Sequence, residues 1–389
     1  MPSGRRLGHV APGRGREGPG WYLPRMVERI GKTRPVSVHI GASKTGTSSL
    51  QRGLWQSVER LGAAGIGIPL PGRVPHVRRL LRPLGWVTGS GFVLPLDTEK
   101  LDELQRRLGK TEGARLLISN EDLCEAGPDQ IEALGGVLQR AGLEPEVVLT
   151  VRNLASVLPS EWQQFLKHRL TTPYPTFLEE VRDRRGDAAA HFWTRQDYAA
   201  IAHRWTRLCG PERFHVVVVP PMAEDPDAVF RFFAQAVGFP QKALRLPRGD
   251  VNASLGYVEA EVYRRLNIVL GDRLGDFEKE YQPAVRRVLL KCVLARKASG
   301  RITLPPEHVD WVREEADRQR KELLGGGYTV HGNLDALVPP AEVARPLPEV
   351  TEREVADAAV ATLASFAVRT FEAGQTEDTD VEGEPPAEG

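Results

Sequence analysis

Cysteine is scarce in this chain, and the scarcity narrows the kinds of protein that it can be. The 389 residues include three cysteines, Cys124, Cys209 and Cys292, which are odd in number and far apart. That pattern argues against a disulfide framework and against a zinc site, and it is typical of a reducing compartment. Cys124 is expected to be a small buried residue.

Long apolar runs are missing as well. No stretch approaches the roughly 20 apolar residues of a transmembrane helix. No apolar segment follows the first arginines, as it would in a secretory signal. The remaining composition, 41% apolar and 26% charged, is ordinary for a globular protein. We therefore expect a soluble cytoplasmic protein of one large domain or two.

Net charge is almost absent, at +1, but the two signs are unevenly placed. Residues 1–34 are mostly basic among their charged positions, and the residues beyond 372 are acidic without a basic residue. Both segments are rich in charge, glycine and proline, which predicts a disordered basic arm over 1–34 and a disordered acidic tail over 373–389. Apart from Trp21 and Tyr22 the arm has no aromatic residue among its basic residues, so no nucleic-acid partner is expected.

Apolar runs alternate with helical patterns between residues 35 and 250. The predicted strands are 36–40, 114–119, 146–151 and 214–219. Near-continuous apolar strands separated by helices predict an α/β fold, with a parallel sheet covered by helices on both faces. Residues 251–372 are amphipathic at helical periodicity, and we expect a C-terminal helical subdomain packed on that core. Ligands bind at the carboxyl ends of such strands, so functional residues should follow the strands directly.

One segment combines a strand, a glycine-bounded loop and a helix. The strand at 36–40 leads into Gly41 and Gly46, and a helical pattern begins at Thr47. This order points backbone N–H groups and the positive end of a helix dipole at a bound anion. The glycine spacing matches the nucleotide P-loop G-x-x-x-x-G-K-[ST], but Thr47 replaces the lysine that follows the second glycine. The lysine lies inside the loop instead, as Lys44.

A second pair of anion-binding side chains follows the third predicted strand. Arg152 comes directly after that strand, and Ser160 lies eight residues further on in a predicted helix. A guanidinium binds phosphate oxygens in bidentate fashion, and a hydroxyl in the same crevice adds a donor. The pair predicts a site for a phosphate monoester beside the loop, and the two sites together predict a ligand with two separated phosphates. The alternative is a structural ion pair and a helix-surface hydroxyl.

These two motifs resemble those of the sulfotransferases that use 3′-phosphoadenosine-5′-phosphosulfate, specifically their bacterial branch. The loop 41–48 resembles the family's 5′-phosphosulfate loop, and Arg152 with Ser160 resembles its 3′-phosphate motif with the same eight-residue spacing. The likeness covers roughly residues 36–260, with a fainter echo at 331–337. Ser43 stands where the family usually has proline, and 245–254 is only a poor match to its glycine-rich nucleotide clamp.

The resemblance implies a P-loop-like sulfotransferase fold and an activity. A sulfuryl group would pass by in-line displacement from 3′-phosphoadenosine-5′-phosphosulfate to a hydroxyl or amine of a carbohydrate, lipid or small metabolite. Lys44 would neutralise the departing phosphate oxygen, and because the loop supplies positive charge, no metal is expected. The oligomeric state is not predicted. The residues expected to bind the donor are Ser43, Lys44, Thr45, Gly46, Thr47, Ser48, Arg152 and Ser160.

The acceptor group needs a general base, and the segment after the second predicted strand offers carboxylates. In the cytosolic members of the family a histidine follows this strand, whereas here the residues are Asn120, Glu121 and Asp122. Some relatives use glutamate, so we predict that Glu121 is the catalytic base, with a pKa raised by an enclosed pocket. The alternative is that Glu121 or Asp122 caps the following helix.

Three histidines are rival candidates for the base, and each has a structural alternative. His39 precedes the loop and is expected to be a satisfied core histidine. His76 lies in a basic stretch that we expect to be a solvated face. His168 is expected at the surface.

Two other functions stay open at this stage. One is a P-loop phosphotransferase or NTPase with a degenerate loop, in which the acidic residues after the second strand would hold Mg²⁺. The other is a nucleotide-binding relative that has lost its activity.

Overall fold

The computed structural model describes residues 33–88, 90–221, 224–246, 254–294 and 300–381. Its strands are β1 (Arg34–His39), β2 (Ile66–Gly67), β3 (Trp86–Val87), β4 (Gly91–Phe92), β5 (Arg115–Ser119), β6 (Leu143–Val151), β7 (Phe214–Val218) and β8 (Thr329–His331). Six of them form a sheet in the order β2-β5-β1-β6-β7-β8, with every pair parallel. β3 and β4 form a separate antiparallel pair. The predicted parallel α/β fold is confirmed.

Helices connect these strands. They are α1 (Thr47–Trp55), α2 (Val58–Ala63), α3 (Arg73–His76), α4 (Thr98–Lys110), α5 (Pro128–Arg140), α6 (Leu154–Leu166), α7 (Tyr174–Arg182), α8 (Gly186–Gln196), α9 (Tyr198–Cys209), α10 (Ala228–Val237), α11 (Tyr257–Leu270), α12 (Leu290–Leu294), α13 (Val309–Gly325) and α14 (Glu352–Val381). Val77–Leu81 and Phe277–Leu289 are π-helical, and 3₁₀ turns occupy Glu121–Glu125, Pro211–Arg213, Gln241–Ala243, Pro306–His308, Leu334–Leu337 and Ala341–Val343. None of the described helices combines the length and apolarity of a membrane span.

Side-chain alternation along the strands buries both faces of the sheet. Val36 and Val38 of β1 pack into a core that includes residues of α4, α5 and α9. Val148 of β6 and Val217 of β7 point the other way and pack with residues of α1 and α10. The period of two in a strand therefore divides the apolar residues between two helical layers.

The order of the strands places β1 between β5 and β6. His39, the last residue of β1, pairs in register with Ser119 of β5 and Val148 of β6. Because all three strands are parallel, the segments that follow them lie side by side at one edge of the sheet. The chain also passes to opposite sides of β1 when it forms β5 and β6, and open α/β sheets bind ligands in such a crevice.

In the C-terminal third, one short strand accompanies the helices. α11, α13 and the π-helical segment Phe277–Leu289 share one apolar core with α6, α7 and α8, and β8 adds an edge strand to the sheet. α14 continues to Val381, so residues 373–381 are helical where a disordered tail was expected. The basic arm up to residue 32, the end of the acidic tail from 382, and 247–253 within the expected nucleotide clamp lie outside the described residues.

Candidate active site

The loop after β1 has a tight, left-handed backbone. Lys44 has φ 60°, which is uncommon for a residue with a side chain, and Gly46 has φ 86° at the N-cap of α1. The carbonyl of Gly46 accepts hydrogen bonds from the N–H groups of Ser49 and Leu50, both at 3.1 Å. The loop therefore closes directly into the first turn of α1, where free N–H groups and the helix dipole favour an anion. Residues of this kind often mark functional sites.

The side chain of Lys44 lies between the loop and α6. Its Nζ donates a hydrogen bond to Oε1 of Gln164 at 3.1 Å. Burial lowers the pKa of Lys44, while the nearby carboxylate of Glu161 acts in the opposite direction. Glu121 also raises the pKa of Lys44, whereas the guanidinium of Arg286 lowers it. The ammonium group thus lies where acidic and basic side chains of three separate segments converge.

The hydroxyl of Ser43 connects the loop to α6 and α8. Its hydroxyl donates to the carboxylate of Glu161 and accepts from Nε2 of Gln196 at 2.8 Å and from Nε of Arg195 at 3.1 Å. Gln196 also donates to Glu161 at 2.9 Å. The hydroxyl of Ser43 is therefore occupied by the protein, which leaves only the backbone of this residue for a ligand.

The remaining hydroxyls of the loop differ in their surroundings. Thr45 is buried, and its Oγ1 donates to the carbonyl of Ala42 at 2.7 Å and contacts the hydroxyl of Thr150. Thr47 is buried in the first turn of α1, whereas Ser48 is exposed there. Thr45 thus stabilises the loop, and the hydroxyl of Ser48 is accessible at the helix terminus.

Arg152 and the loop are in direct contact. Nη1 of Arg152 donates to the carbonyl oxygen of Lys44 at 3.4 Å, and the hydroxyl of Tyr198 donates to the carbonyl of Arg152 at 2.8 Å. Within the described residues, Nε of Arg152 is buried without an acceptor. Burial also lowers the pKa of Arg152. An orphaned buried donor of this kind calls for a partner that the protein itself does not supply.

Ser160 lies two turns into α6, on the helix that follows Arg152. Its hydroxyl donates to the carbonyl of Ser156 at 3.2 Å, and the residue is half-buried. The helix begins at the point where Oδ1 of Asn153 accepts from the N–H of Ser156 at 3.0 Å. Ser160 thus keeps a rotatable hydroxyl beside the crevice.

Glu121 begins the 3₁₀ turn after β5, but it is not the capping residue. Oδ1 of Asn120 caps this turn by accepting from the N–H of Asp122 at 2.8 Å. The carboxylate of Glu121 accepts a hydrogen bond from Nε2 of Gln51 on α1. Its backbone lies against Gly41, where an added Cβ would meet the carbonyl oxygen of Glu121 at 2.8 Å. The turn after β5 is therefore held against both the loop and α1.

The neighbouring acidic residues have a structural partner. Arg195 of α8 donates to Oδ1 of Asp122 at 3.3 Å and forms an ion pair with Glu125. Burial raises the pKa of Asp122, and the guanidinium of Arg195 counteracts this effect. Asp122 and Glu125 thus fix α8 against the turn. The carboxylate of Glu121, in contrast, is bound by the side-chain amide of Gln51 and by no arginine among the described residues.

His39 is the core histidine that the sequence predicts. It is fully buried, its Nδ1 lies 2.7 Å from Oγ of Ser119, and its Nε2 lies 3.4 Å from Oγ1 of Thr150. Burial lowers the pKa of His39 to about 4, so the ring is neutral near pH 7. Both ring nitrogens are used inside the sheet.

The other two histidines contradict their predictions. His76 is buried rather than solvated, with Nδ1 2.9 Å from the carbonyl of Gly72 and Nε2 accepting from the N–H of Ser119 at 3.4 Å. His168 is half-buried rather than at the surface, because its ring stacks on Phe277 with centroids 5.1 Å apart. Burial lowers the pKa of His168 to about 3. Packing from distant segments produces both differences.

Several residues of this site had no predicted role. Glu161 and Gln164 follow Ser160 on the same helix, where spacings of one and four residues reach the loop. Arg195 and Gln196 lie at the end of α8 and reach the loop from another segment. For Glu161 and Gln164, the polar residues that recur along the sequence of α6 could have indicated a role.

A cavity of about 400 Å³ opens beside the 3₁₀ turn. Phe92 of β4, Glu125, and His191 and Thr194 of α8 are among its lining residues. The residues predicted to bind the donor do not line it. Phe92 places part of the segment 70–96 at this cavity.

The comparisons with known proteins give matches among solved structures alone. No family model matches the sequence, and no curated protein matches it. The chain is similar to the crystal structure of a sulfotransferase from Alicyclobacillus acidocaldarius, with 18% sequence identity, a TM-score of 0.38, and coverage of 62% of this chain and 95% of that chain. At this identity and TM-score the likeness says nothing by itself about what the chain binds or transfers.

Proposed function

We propose that this chain is a cytoplasmic sulfotransferase. It moves the sulfuryl group of 3′-phosphoadenosine-5′-phosphosulfate to a hydroxyl or amine of a carbohydrate, lipid or small metabolite. The observation that carries the proposal is the contact between Nη1 of Arg152 and the carbonyl of Lys44, at 3.4 Å. Two elements that the sequence assigns to separate phosphates lie at the ends of the adjacent strands β6 and β1. One nucleotide with phosphates on both sides of its ribose can reach both.

The residues of the crevice fit such a donor. The left-handed turn at Lys44 and Gly46 leads into the N-terminus of α1, which suits the 5′-phosphosulfate. The buried Nε of Arg152 has no protein acceptor among the described residues and suits the 3′-phosphate. Ser160 binds the same phosphate by turning its hydroxyl away from the carbonyl of Ser156.

Transfer requires charge stabilisation on one side of the sulfur and proton removal on the other. The donor supplies the sulfuryl group, whose bond to the 5′-phosphate oxygen breaks as a bond to the acceptor oxygen or nitrogen forms. Lys44 stabilises the negative charge that develops on the departing phosphate oxygen. Glu121 takes the acceptor's proton, and its hydrogen bond from Gln51 orients the carboxylate. The loop and Lys44 provide the positive charge, so the proposal includes no metal.

The other functions considered are less well supported. An NTPase would need Glu121 and Asp122 after β5 to hold Mg²⁺, yet Asp122 is paired with Arg195 and Glu121 accepts a hydrogen bond from Gln51. An inactive relative would need neither a lysine in the loop nor a carboxylate beside it. This chain has Lys44 in the loop and Glu121 against Gly41. The buried free thiols of Cys124, Cys209 and Cys292 support a reducing compartment.

Ligand-dependent thermal unfolding tests the proposal. We expect adenosine 3′,5′-bisphosphate in the presence of EDTA to raise the melting temperature by several degrees, since saturation at 100 times Kd adds about 2.7 kcal/mol of stability. A response to ATP with Mg²⁺, without a response to the bisphosphate, would favour the phosphotransferase instead. Transfer from donor labelled in its sulfuryl group onto a metabolite extract would then identify the acceptor.

A further inference from the structure

We infer that the acceptor of the proposed transfer carries a negatively charged group, a carboxylate, sulfate or phosphate, which Lys167, Arg169 and Arg286 bind. We call these three residues the distal basic cluster. The inference rests on the proposed function and adds a substrate class to it. The cluster lies past Lys44, at the C-terminal end of α6 and against the π-helical segment Phe277–Leu289.

A chain of hydrogen bonds leads from the loop to this cluster. Nζ of Lys44 donates to Oε1 of Gln164 at 3.1 Å, and Nε2 of Gln164 lies 3.1 Å from Nε2 of His168. Lys167 follows Gln164 by three residues and therefore shares its side of the helix end. The helix rises about 10 Å between Ser160 and Lys167. The cluster is thus displaced along α6 from the residues proposed to bind the 3′-phosphate.

Stacked rings attach the π-helical segment to the same place. His168 stacks on Phe277 with ring centroids 5.1 Å apart, and Phe277 stacks on Tyr281 at 5.5 Å. The guanidinium of Arg169 lies 4.6 Å from the centre of the Tyr281 ring. Arg286 is five residues after Tyr281, which is one turn where N–H groups bond to carbonyls five residues back. Arg286 and Arg169 therefore both lie near the side chain of Tyr281.

Within the part of the chain that the structure describes, the cations of this cluster form no ion pair with a carboxylate, unlike many other arginines. The arginines in ion pairs include Arg115, Arg195, Arg264 and Arg318. Among the described residues, neither the ammonium group of Lys167 nor the guanidinium of Arg286 has an ion pair or hydrogen bond, and Nε and Nη2 of Arg169 are buried without acceptors. The carboxylate of Glu161 faces this region, but Ser43 and Gln196 already occupy it.

The positive charges of the distal basic cluster lie close together, and their repulsion destabilises the folded protein when no anion is bound. Burial lowers the pKa of Lys167 to about 8, and Lys44 and Arg286 lower it further. Arg286 also lowers the pKa of His168, after burial as the main cause. A neutral hydroxyl ligand would leave these cations uncompensated, whereas an anionic group would pair with them. The charge balance therefore favours an acceptor that is already acidic.

Sulfate binding tests this inference separately from the donor site. Inorganic sulfate is titrated calorimetrically, at low ionic strength, into protein saturated with adenosine 3′,5′-bisphosphate. In the double variant Lys167→Gln/Arg286→Gln we expect sulfate affinity to fall at least about tenfold, as for lost hydrogen bonds to charged groups. Bisphosphate affinity should stay within about twofold of wild type. The matched control is Lys110→Gln/Arg106→Gln on α4, which should bind sulfate as the wild type does.

Two results would overturn the inference: no sulfate binding by the wild type, or equal affinity in wild type and double variant. If the bisphosphate itself does not bind, the proposed function fails, and the same sulfate titration without nucleotide still tests the cluster. Circular dichroism melts confirm folding. Should the double variant be unfolded, Lys167→Gln and Arg286→Gln are measured singly, and each should weaken sulfate binding.

Discussion

Nη1 of Arg152 donates a hydrogen bond to the carbonyl oxygen of Lys44 at 3.4 Å, which joins the residue after β6 to the loop after β1. Nε of the same guanidinium is buried and has no acceptor among the described residues. One edge of the group thus holds the loop, and the other is left for a ligand. The arrangement couples the conformation of the loop to the occupancy of the second anion site.

Replacing Arg152 by lysine should therefore fail to preserve nucleotide binding. Lysine keeps the charge but loses the planar fork that can contact the loop and a phosphate together. We expect the Kd for adenosine 3′,5′-bisphosphate to rise about 10- to 100-fold in Arg152→Lys, and at least as much in Arg152→Ala. Calorimetry measures both, with the exposed Arg140→Lys as control. Wild-type affinity in Arg152→Lys would contradict the bidentate role.

Glu121 and Asp122 are adjacent carboxylates with different expected roles. Glu121→Gln keeps an oxygen that can accept the hydrogen bond of Gln51 but cannot take a proton, so kcat should fall about 10²- to 10⁴-fold with bisphosphate affinity nearly unchanged. Asp122→Asn weakens a buried pair with Arg195 and should lower the free energy of unfolding by about 1–3 kcal/mol. Transfer assays and urea unfolding separate the two. Loss of bisphosphate binding in Glu121→Gln would make that residue structural.

The sequence predicts the parts of this site that depend on strand order and local pattern. Alternating Val36 and Val38 mark a strand buried on both faces, and Lys44 and Arg152 each follow such a strand, so the carboxyl ends of neighbouring parallel strands bring them together. Residues that depend on distant packing are not predictable in this way. His168 is half-buried because Phe277 stacks on it, and Glu161 meets Gln196 from another helix.

Two further details cannot be predicted from the sequence pattern: the short strand β8 and the break between α8 and α9. β8 has only three residues, too few for a periodic signal. α8 and α9 are separated only at Asp197, whose Oδ1 caps α9 by accepting from the N–H of Ala200 at 3.1 Å. Apolar periodicity continues through such a break, so only the capping residue indicates it.

Ser43 and Ser48 offer a matched pair of substitutions in the loop. Ser43→Ala removes a hydroxyl that bonds to Glu161, Gln196 and Arg195. We expect it to lower the free energy of unfolding by about 1–3 kcal/mol and to leave bisphosphate affinity within about twofold. Ser48→Ala, at an exposed position, should leave the free energy of unfolding nearly unchanged and should weaken bisphosphate binding. Urea unfolding and calorimetry on both variants give the comparison, and an interchange of the two patterns would contradict these roles.

His39 should make stability depend on pH in the mildly acidic range. Its pKa falls from 6.5 to about 4 because the ring is buried, so the unfolded chain binds a proton that the folded chain excludes. The contribution of His39 to the free energy of unfolding is complete above pH 6.5 and is lost as the pH falls toward 4. At pH 5 the loss amounts to about 2 kcal/mol. Urea unfolding at pH 7.5 and 5 measures it. His39→Gln should have a correspondingly flatter profile, and equal pH profiles would exclude this origin.

The late position of β8 in the sequence has a consequence for synthesis. β7 is complete at residue 218, but its outer hydrogen-bonding edge is covered only when Thr329–His331 pairs with it. While the ribosome adds the intervening hundred or so residues, the nascent sheet presents an open edge to other chains. A stop or a cleavage before residue 329 would make that exposure permanent, so shortened forms of this protein should self-associate.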